Sequence, residues 1–279
     1  MEVQREKVIT LLIIATIMHT VDSEERQMDM SPNVVDDQFL GCREKMLEKV
    51  LGKGGLIEEE RAANQMFSKA WDGATECHNR IQNGQPEHTR ALVLYTHSYR
   101  QEFHSTFNNA MQSQGGNLTA YRGFPFKALH FLLTDALWIL RPTSCVTVYH
   151  QSDYSYQARV GDKVRFGMFT SAISKNMLDE SSVEDGGTLF TITSCAAVKV
   201  EDHACNPEEF ELLIPPYEEF RVADVKDTED YRVILLNHTR LYSNHDCFLF
   251  LNSGSSRDPV KSNLLLLLAA SLCLCCSYV

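Results

Sequence analysis

Apolar residues recur at helical spacing through the first half of the chain and at shorter, strand-like spacing through the second. Residues 36–51 place Phe39, Leu40, Met46, Leu47 and Val50 on helical spacing, and Gly52 stops the run. Residues 57–81 predict a second helical stretch closed by Asn83-Gly84, and residues 86–114 predict one or two more before Gly115-Gly116. Residues 126–140 form the broadest apolar stripe (Ala128, Leu129, Leu132, Leu133, Ala136, Leu137, Leu140), ended by Pro142. Beyond it, short β-branched and aromatic runs predict strands at 145–149, 163–171, 188–200, 210–214, 220–225, 231–236 and 247–251. Helices first and strands later imply an α+β fold.

The two ends break this pattern. Arg5 and Lys7 precede an apolar run, Val8–Met18, and small Ser23 follows, which predicts a signal peptide over 1–23. At the other end Asn252–Ser256 is a small-residue cluster, 257–263 a polar spacer, and 264–279 an almost wholly apolar tail. That order predicts attachment of a glycosylphosphatidylinositol (GPI) anchor near Ser253 and removal of 254–279. The tail is shorter than the about 20 apolar residues a spanning helix needs. The remaining 24–253 is one domain, with 24–142 mostly helical and 143–253 mostly strands.

Charge and cysteine usage narrow the class. A net charge of −11 excludes nucleic acid as an expected partner, because phosphate binding needs a basic face. Of nine cysteines, Cys273, Cys275 and Cys276 lie in the tail, leaving Cys42, Cys77, Cys145, Cys195, Cys205 and Cys247. An even set in a secreted chain predicts disulfides, though spacing alone does not choose the pairs. No CxxC pair or histidine spacing points to a metal. Asn117-Leu118-Thr119 and Asn237-His238-Thr239 are glycosylation sequons.

One segment carries candidate chemistry. If Glu209-Phe210-Glu211 enters a strand, Glu209 and Glu211 share a face, their Cβ atoms about 7 Å apart. Two carboxylates so placed can serve one substrate in different roles; a solvated strand edge with one buried Phe is the plainer reading of the same pattern.

As a whole the chain resembles the vertebrate GPI-anchored ecto-ADP-ribosyltransferases. Phe126–Thr134 is similar to the helix ahead of that family's sheet, 164–171 to its arginine-phenylalanine-glycine strand and serine motif, and Glu209–Glu218 to its ExE motif with the following Leu-Ile-Pro-Pro segment. The resemblance implies a helical half packed on a β-sandwich-like core, with NAD as co-substrate and no metal. It implies transfer of ADP-ribose to arginine side chains of extracellular or secretory-pathway proteins, by a monomer on the outer face of the plasma membrane.

Residue by residue, the resemblance makes Glu211 the catalytic glutamate, Glu209 the glutamate serving the arginine acceptor, and Ser171 the serine that orients NAD. It pairs Cys42 with Cys247 and Cys145 with Cys195, leaving Cys77 and Cys205. The family's arginine, expected after valine-tyrosine and before glycine, is replaced by His150, and the glycine by Gln151. Tyr121-Arg122-Gly123 looks like the missing motif but precedes the 126–140 helix. Ile173 stands where a second serine is usual. His150 offers NAD fewer donors than an arginine fork, and losing one charge-assisted contact costs about 1.5–3 kcal/mol. Two alternatives therefore accompany the transferase reading, a silent binding ectodomain and an NAD glycohydrolase with water as acceptor.

Overall fold

The structure is a computed structural model, and it describes residues 25–74, 80–97, 102–203 and 211–251. The expected signal peptide, the anchor segment with Ser253, and Cys77, Cys205, Glu209 and Phe210 lie outside the described residues.

Seven α-helices are described between residues 43 and 139. They are α1 (Arg43–Leu51), α2 (Leu56–Ala63), α3 (Gln65–Gly73), α4 (Pro86–His97), α5 (Glu102–Ser113), α6 (Leu118–Gly123) and α7 (Lys127–Ile139). The stretch expected as one helix over 57–81 is cut after Ala63. Asn64 there leaves helical geometry, and its side chain accepts from Phe67 N at 3.0 Å, capping α3. The helix expected from Asp36 begins only at Arg43, because Asp36 and Asp37 are buried in contacts with distant parts of the chain.

α7 has no local side-chain cap. Glu60 of α2 supplies one instead, accepting from Lys127 N at 2.9 Å and Ala128 N at 3.0 Å. Burial pushes this carboxyl up to about 7, against the opposing pull of the two N–H groups and the Lys127 charge. Phe67, Phe103, Phe107, Phe124, Phe126 and Phe169 pack around α7's apolar face at 5.6–6.5 Å ring separations. Fully burying each such ring contributes about 1.5–3 kcal/mol.

The strands follow. Strands β2 (Val146–Ser152), β4 (Lys163–Val164), β6 (Thr188–Ser194), β9 (Glu218–Asp227) and β10 (Arg232–Leu241) form a sheet in the order β2-β6-β10-β9-β4. Only the β6–β10 pair in it is parallel. A second sheet joins β5 (Thr170–Ala172), β8 (Leu212–Ile214) and β7 (Val198–Lys199) in the order β5-β8-β7. Short β1 (Glu25–Gln27) and β3 (Ser155–Gln157), neither expected from the sequence, pair in parallel. Phe190, Ile192, Ala172, Leu212, Ile214, Phe220 and Leu236 form a second core among the strands.

Two further expectations are corrected. The strand expected over 163–171 is broken in the middle. Gly167 takes φ +71°, and a Cβ there would lie 2.6 Å from Ser31 Oγ, so only glycine fits the turn between β4 and β5. The strand expected over 247–251 is a 3₁₀ turn, Phe248–Phe250. Asp37 explains it: its carboxylate accepts from Cys247 N at 2.9 Å and Phe248 N at 2.7 Å, which closes the turn rather than an extended ladder.

Segments near the two ends of the described residues are stitched together nearby. Cys42 is bonded to Cys247, and Arg165 donates to Asp36 at 2.5 Å with both side chains buried. Cys145, just before β2, is bonded to Cys195, just after β6.

Candidate active site

β2 is an edge strand, and β6 holds it in antiparallel register with His150 opposite Phe190. Its free edge meets the chain again at Ile173, where Tyr149 and Ile173 exchange both backbone hydrogen bonds at 2.9 Å. This bridge brings β5 alongside β2. His150 Nδ1 then lies 2.8 Å from Ser171 O. A carbonyl oxygen only accepts, so Nδ1 carries the hydrogen, and in the neutral ring Nε2 is left as a lone-pair acceptor. Phe166 stands edge-on to the imidazole at 5.7 Å and Phe190 stacks at 5.8 Å. Burial among these rings drives the imidazole down to about 4, outweighing the hydrogen bond to Ser171 and the Asp153 charge. His150 is therefore neutral at physiological pH, whereas an arginine would be charged.

Glu211 arrives from the other side. It immediately precedes β8, which pairs with β5 in the register Ala172↔Leu212 and Ser171↔Leu213. Its carbonyl accepts from Val200 N at 2.9 Å, and its Oε2 accepts from Ser174 N at 2.6 Å. The side chain is almost fully buried. The structure thus brings His150, Ser171 and Glu211 together through one hydrogen bond and one strand pairing. Tyr121-Arg122-Gly123 lies on α6, not on the strand that carries His150, and Tyr121 is buried.

The sequence did not reveal the Ser174 amide, the aromatic walls Phe166 and Phe190, or the contacts of Gln151. The amide is a backbone group with no sequence signature. Phe166 comes from the loop after β4 and Phe190 from β6, both away from His150 in sequence, so only the tertiary fold makes them neighbours.

Two other features do not include His150, Ser171 or Glu211. A cleft of about 370 Å³ lies against Phe166, lined by Gln27, Asp29, Asn109, Gln112 and Tyr156 among others, and contains none of the three candidate residues. Cys195, Glu218 and His238 come within 4.8 Å of one another, but the Cys195 sulfur is committed to Cys145. The buried Glu218 carboxylate instead accepts from Ser194 Oγ at 2.6 Å, Cys195 N at 2.7 Å and His238 Nδ1 at 2.7 Å. It is a buttress under the disulfide that anchors β2.

The fold is a mixed helix-and-sheet domain with His150, Ser171 and Glu211 near the β2–β5 edge, and comparison with known proteins shows its class. Residues 28–244 match the family model described as NAD:arginine ADP-ribosyltransferase. The chain is 32% identical over 260 residues to ecto-ADP-ribosyltransferase 4 of Mus musculus, an alignment covering 86% of this chain and 84% of that one. The crystal structure of the eukaryotic mono-ADP-ribosyltransferase ART2.2 superposes with a TM-score of 0.66 at 32% identity, covering 79% of this chain and 98% of that one. A point variant of ART2.2 solved in complex with NAD superposes at 0.65, again at 32% identity, with the same coverage. The chain belongs to the NAD:arginine ADP-ribosyltransferase family. Among the described residues, no helix is long and apolar enough to cross a membrane.

Proposed function

We propose that the protein transfers ADP-ribose from NAD to arginine side chains of extracellular or secretory-pathway proteins, releasing nicotinamide. The observation that carries this reading is the Ser174 N–Glu211 Oε2 hydrogen bond, which supports it by tying the motif's glutamate to the segment that runs on from Ser171, the residue His150 contacts. The bond between ribose and nicotinamide breaks with oxocarbenium character, and nicotinamide leaves with the bonding electron pair. Glu211 faces the developing positive charge and holds a ribose hydroxyl. Ser171 orients the ribose. Neutral His150 offers Nε2 to NAD as an acceptor. The acceptor guanidine nitrogen forms the new bond to the ribose carbon, and Glu209, assigned through the motif, takes its proton. The reading uses no metal.

The wider frame is part of the same proposal. It takes 24–253 as the mature domain, a helical half packed on a β-sandwich-like core, leaving the cell through a signal peptide and held on its outer face by a GPI anchor near Ser253. Packing of Phe169, just before β5, and of Val198 and Leu213 from β7 and β8 into the helical core supports the first part. Asn117 and Asn237 are exposed, as glycan acceptors need to be. Asn117 caps α6 through Oδ1 to Ala120 N, which leaves Nδ2 for a sugar.

The test incubates the secreted protein with labelled NAD and an arginine analogue. Label transfer by the native chain, lost in Glu211→Gln, is the expected result. The neutrality of His150 favours a second reading, a silent binding ectodomain. Transfer by His150→Arg alone, with none from the native chain, would establish it. NAD hydrolysis surviving Glu209→Gln while transfer is lost would point to water as the usual acceptor.

A further inference from the structure

Gln151, which stands where the family resemblance expects glycine, ties down the segment that follows the serine. Its Nε2 donates to Asp179 O at 2.7 Å and to Ser182 Oγ at 3.1 Å, and its Oε1 lies 3.3 Å from the same hydroxyl. A glycine could make none of these contacts. The segment consists of two 3₁₀ turns, Lys175–Met177 and Glu180–Ser182, whose side chains are mostly exposed. No buried apolar side chain lies within either turn. Its remaining ties are polar. Asp179 Oδ1 caps the second turn through Ser181 N and Oγ, and Tyr231 Oη donates to Glu180 Oε2 at 3.3 Å. At its start the segment is pinned by the Tyr149–Ile173 bridge and by Ser174 N on Glu211.

The same two residues of β2 flank the site from opposite sides of the strand. His150 reaches Ser171 ahead of the segment, while Gln151 reaches Asp179 and Ser182 behind it. A segment this exposed owes its conformation to the hydrogen bonds at its two ends, and releasing one end frees the other to fray. Fraying that starts at 179–182 and spreads back along the segment reaches the Ser174 amide that orients the Glu211 carboxylate.

We propose that Gln151 is a positioning residue for the reaction. Its side-chain amide clamps residues 174–182 against β2 and so holds the Ser174 N–H on Glu211. This proposal rests on the transferase reading for its kinetic consequence but not for its structural one. The clamp belongs to the residue that departs from the family pattern, so it is a feature of this chain rather than of the motif.

The test compares the full chain, expressed in secretory cells, with Gln151→Glu and Gln151→Gly. Glutamate keeps the size of glutamine but cannot donate to the Asp179 carbonyl when ionised. In Gln151→Glu, kcat is expected to fall five- to tenfold with KM for NAD within twofold. Amide hydrogen exchange at Ser174 and across 179–182 is expected to accelerate about tenfold, with the thermal midpoint unchanged. Gln151→Gly should behave likewise. A raised KM with unchanged kcat would overturn the proposal, because Gln151 would then be a direct NAD contact. Unchanged exchange at Ser174 would overturn it too. If the native chain transfers no label, the transferase reading fails by itself, and exchange at Ser174 still decides whether the clamp exists.

Discussion

His150 shows how one side chain sets a pH signature. Its imidazole is held down at about 4, first by burial against Phe166 and Phe190, so protonation begins only well below neutrality. NAD affinity should therefore carry no titration from this residue between pH 6 and 8. It should change only as pH falls towards 4, and binding followed by calorimetry across that range checks it. A nitrogen spectrum with the proton on Nδ1 would confirm the tautomer, whereas a proton on Nε2 would contradict the contact with Ser171. At this scale the sequence was partly legible. Ser171 and Glu211 could be placed because the surrounding motif fixes their position along the chain. The state of His150 could not, because its neighbours come from β4's flank and β6, 16 and 40 residues away in sequence.

At the scale of elements, runs of apolar residues located the α7 helix and the β2, β6, β9 and β10 strands, α7 most clearly because it is buried from Lys127 to Leu137. The pattern failed where a remote polar group decides the local geometry. Asp37 turns residues 248–250 into a 3₁₀ turn, and Asn64 splits one helical run into two. Glu218 is the same kind of device on the sheet, since one buried carboxylate gathers Ser194, Cys195 and His238 at the end of β6. Glu218→Ala leaves those donors without their acceptor and should cost about 2–4 kcal/mol, read by denaturant unfolding. A loss under 1 kcal/mol would show that water replaces the carboxylate there.

Over the whole molecule, two sets of buried groups pull stability in opposite directions with pH. Burial lifts Glu60 to about 7 and Asp37 to about 6. Their folded forms hold a proton that the unfolded chain releases near pH 4, so their stability is present at low pH and lost as pH rises to 6–7. Burial lowers His104 to about 4, His130 to about 3 and His150 to about 4. Their contribution is complete above pH 6.5 and lost as pH falls towards those values. Glu60→Gln isolates one arm: relative to the native chain it should gain stability as pH rises from 4.5 to 7.5, by about 3 kcal/mol. Thermal midpoints at both ends of that range measure the gain. A constant gap between the two proteins would mean that the helix end keeps Glu60 ionised throughout. Which carboxylates would be buried was not readable from spacing, since Asp36, Asp37 and Glu60 sit in stretches otherwise typical of solvent-facing helix.

The bond between Cys42 and Cys247 joins residues 205 apart, and that between Cys145 and Cys195 joins residues 50 apart inside it. Chain-entropy reasoning gives such closures about 4–5 kcal/mol each. Together they make the described fold a ring within a ring, and the exposed 175–182 segment lies on the circumference of both. A protease that cuts there releases no fragment. The nicked molecule should run as a single band on a non-reducing gel and fall into two pieces only after reduction, so an enzyme built this way could be severed beside its candidate site and still stay whole in outline.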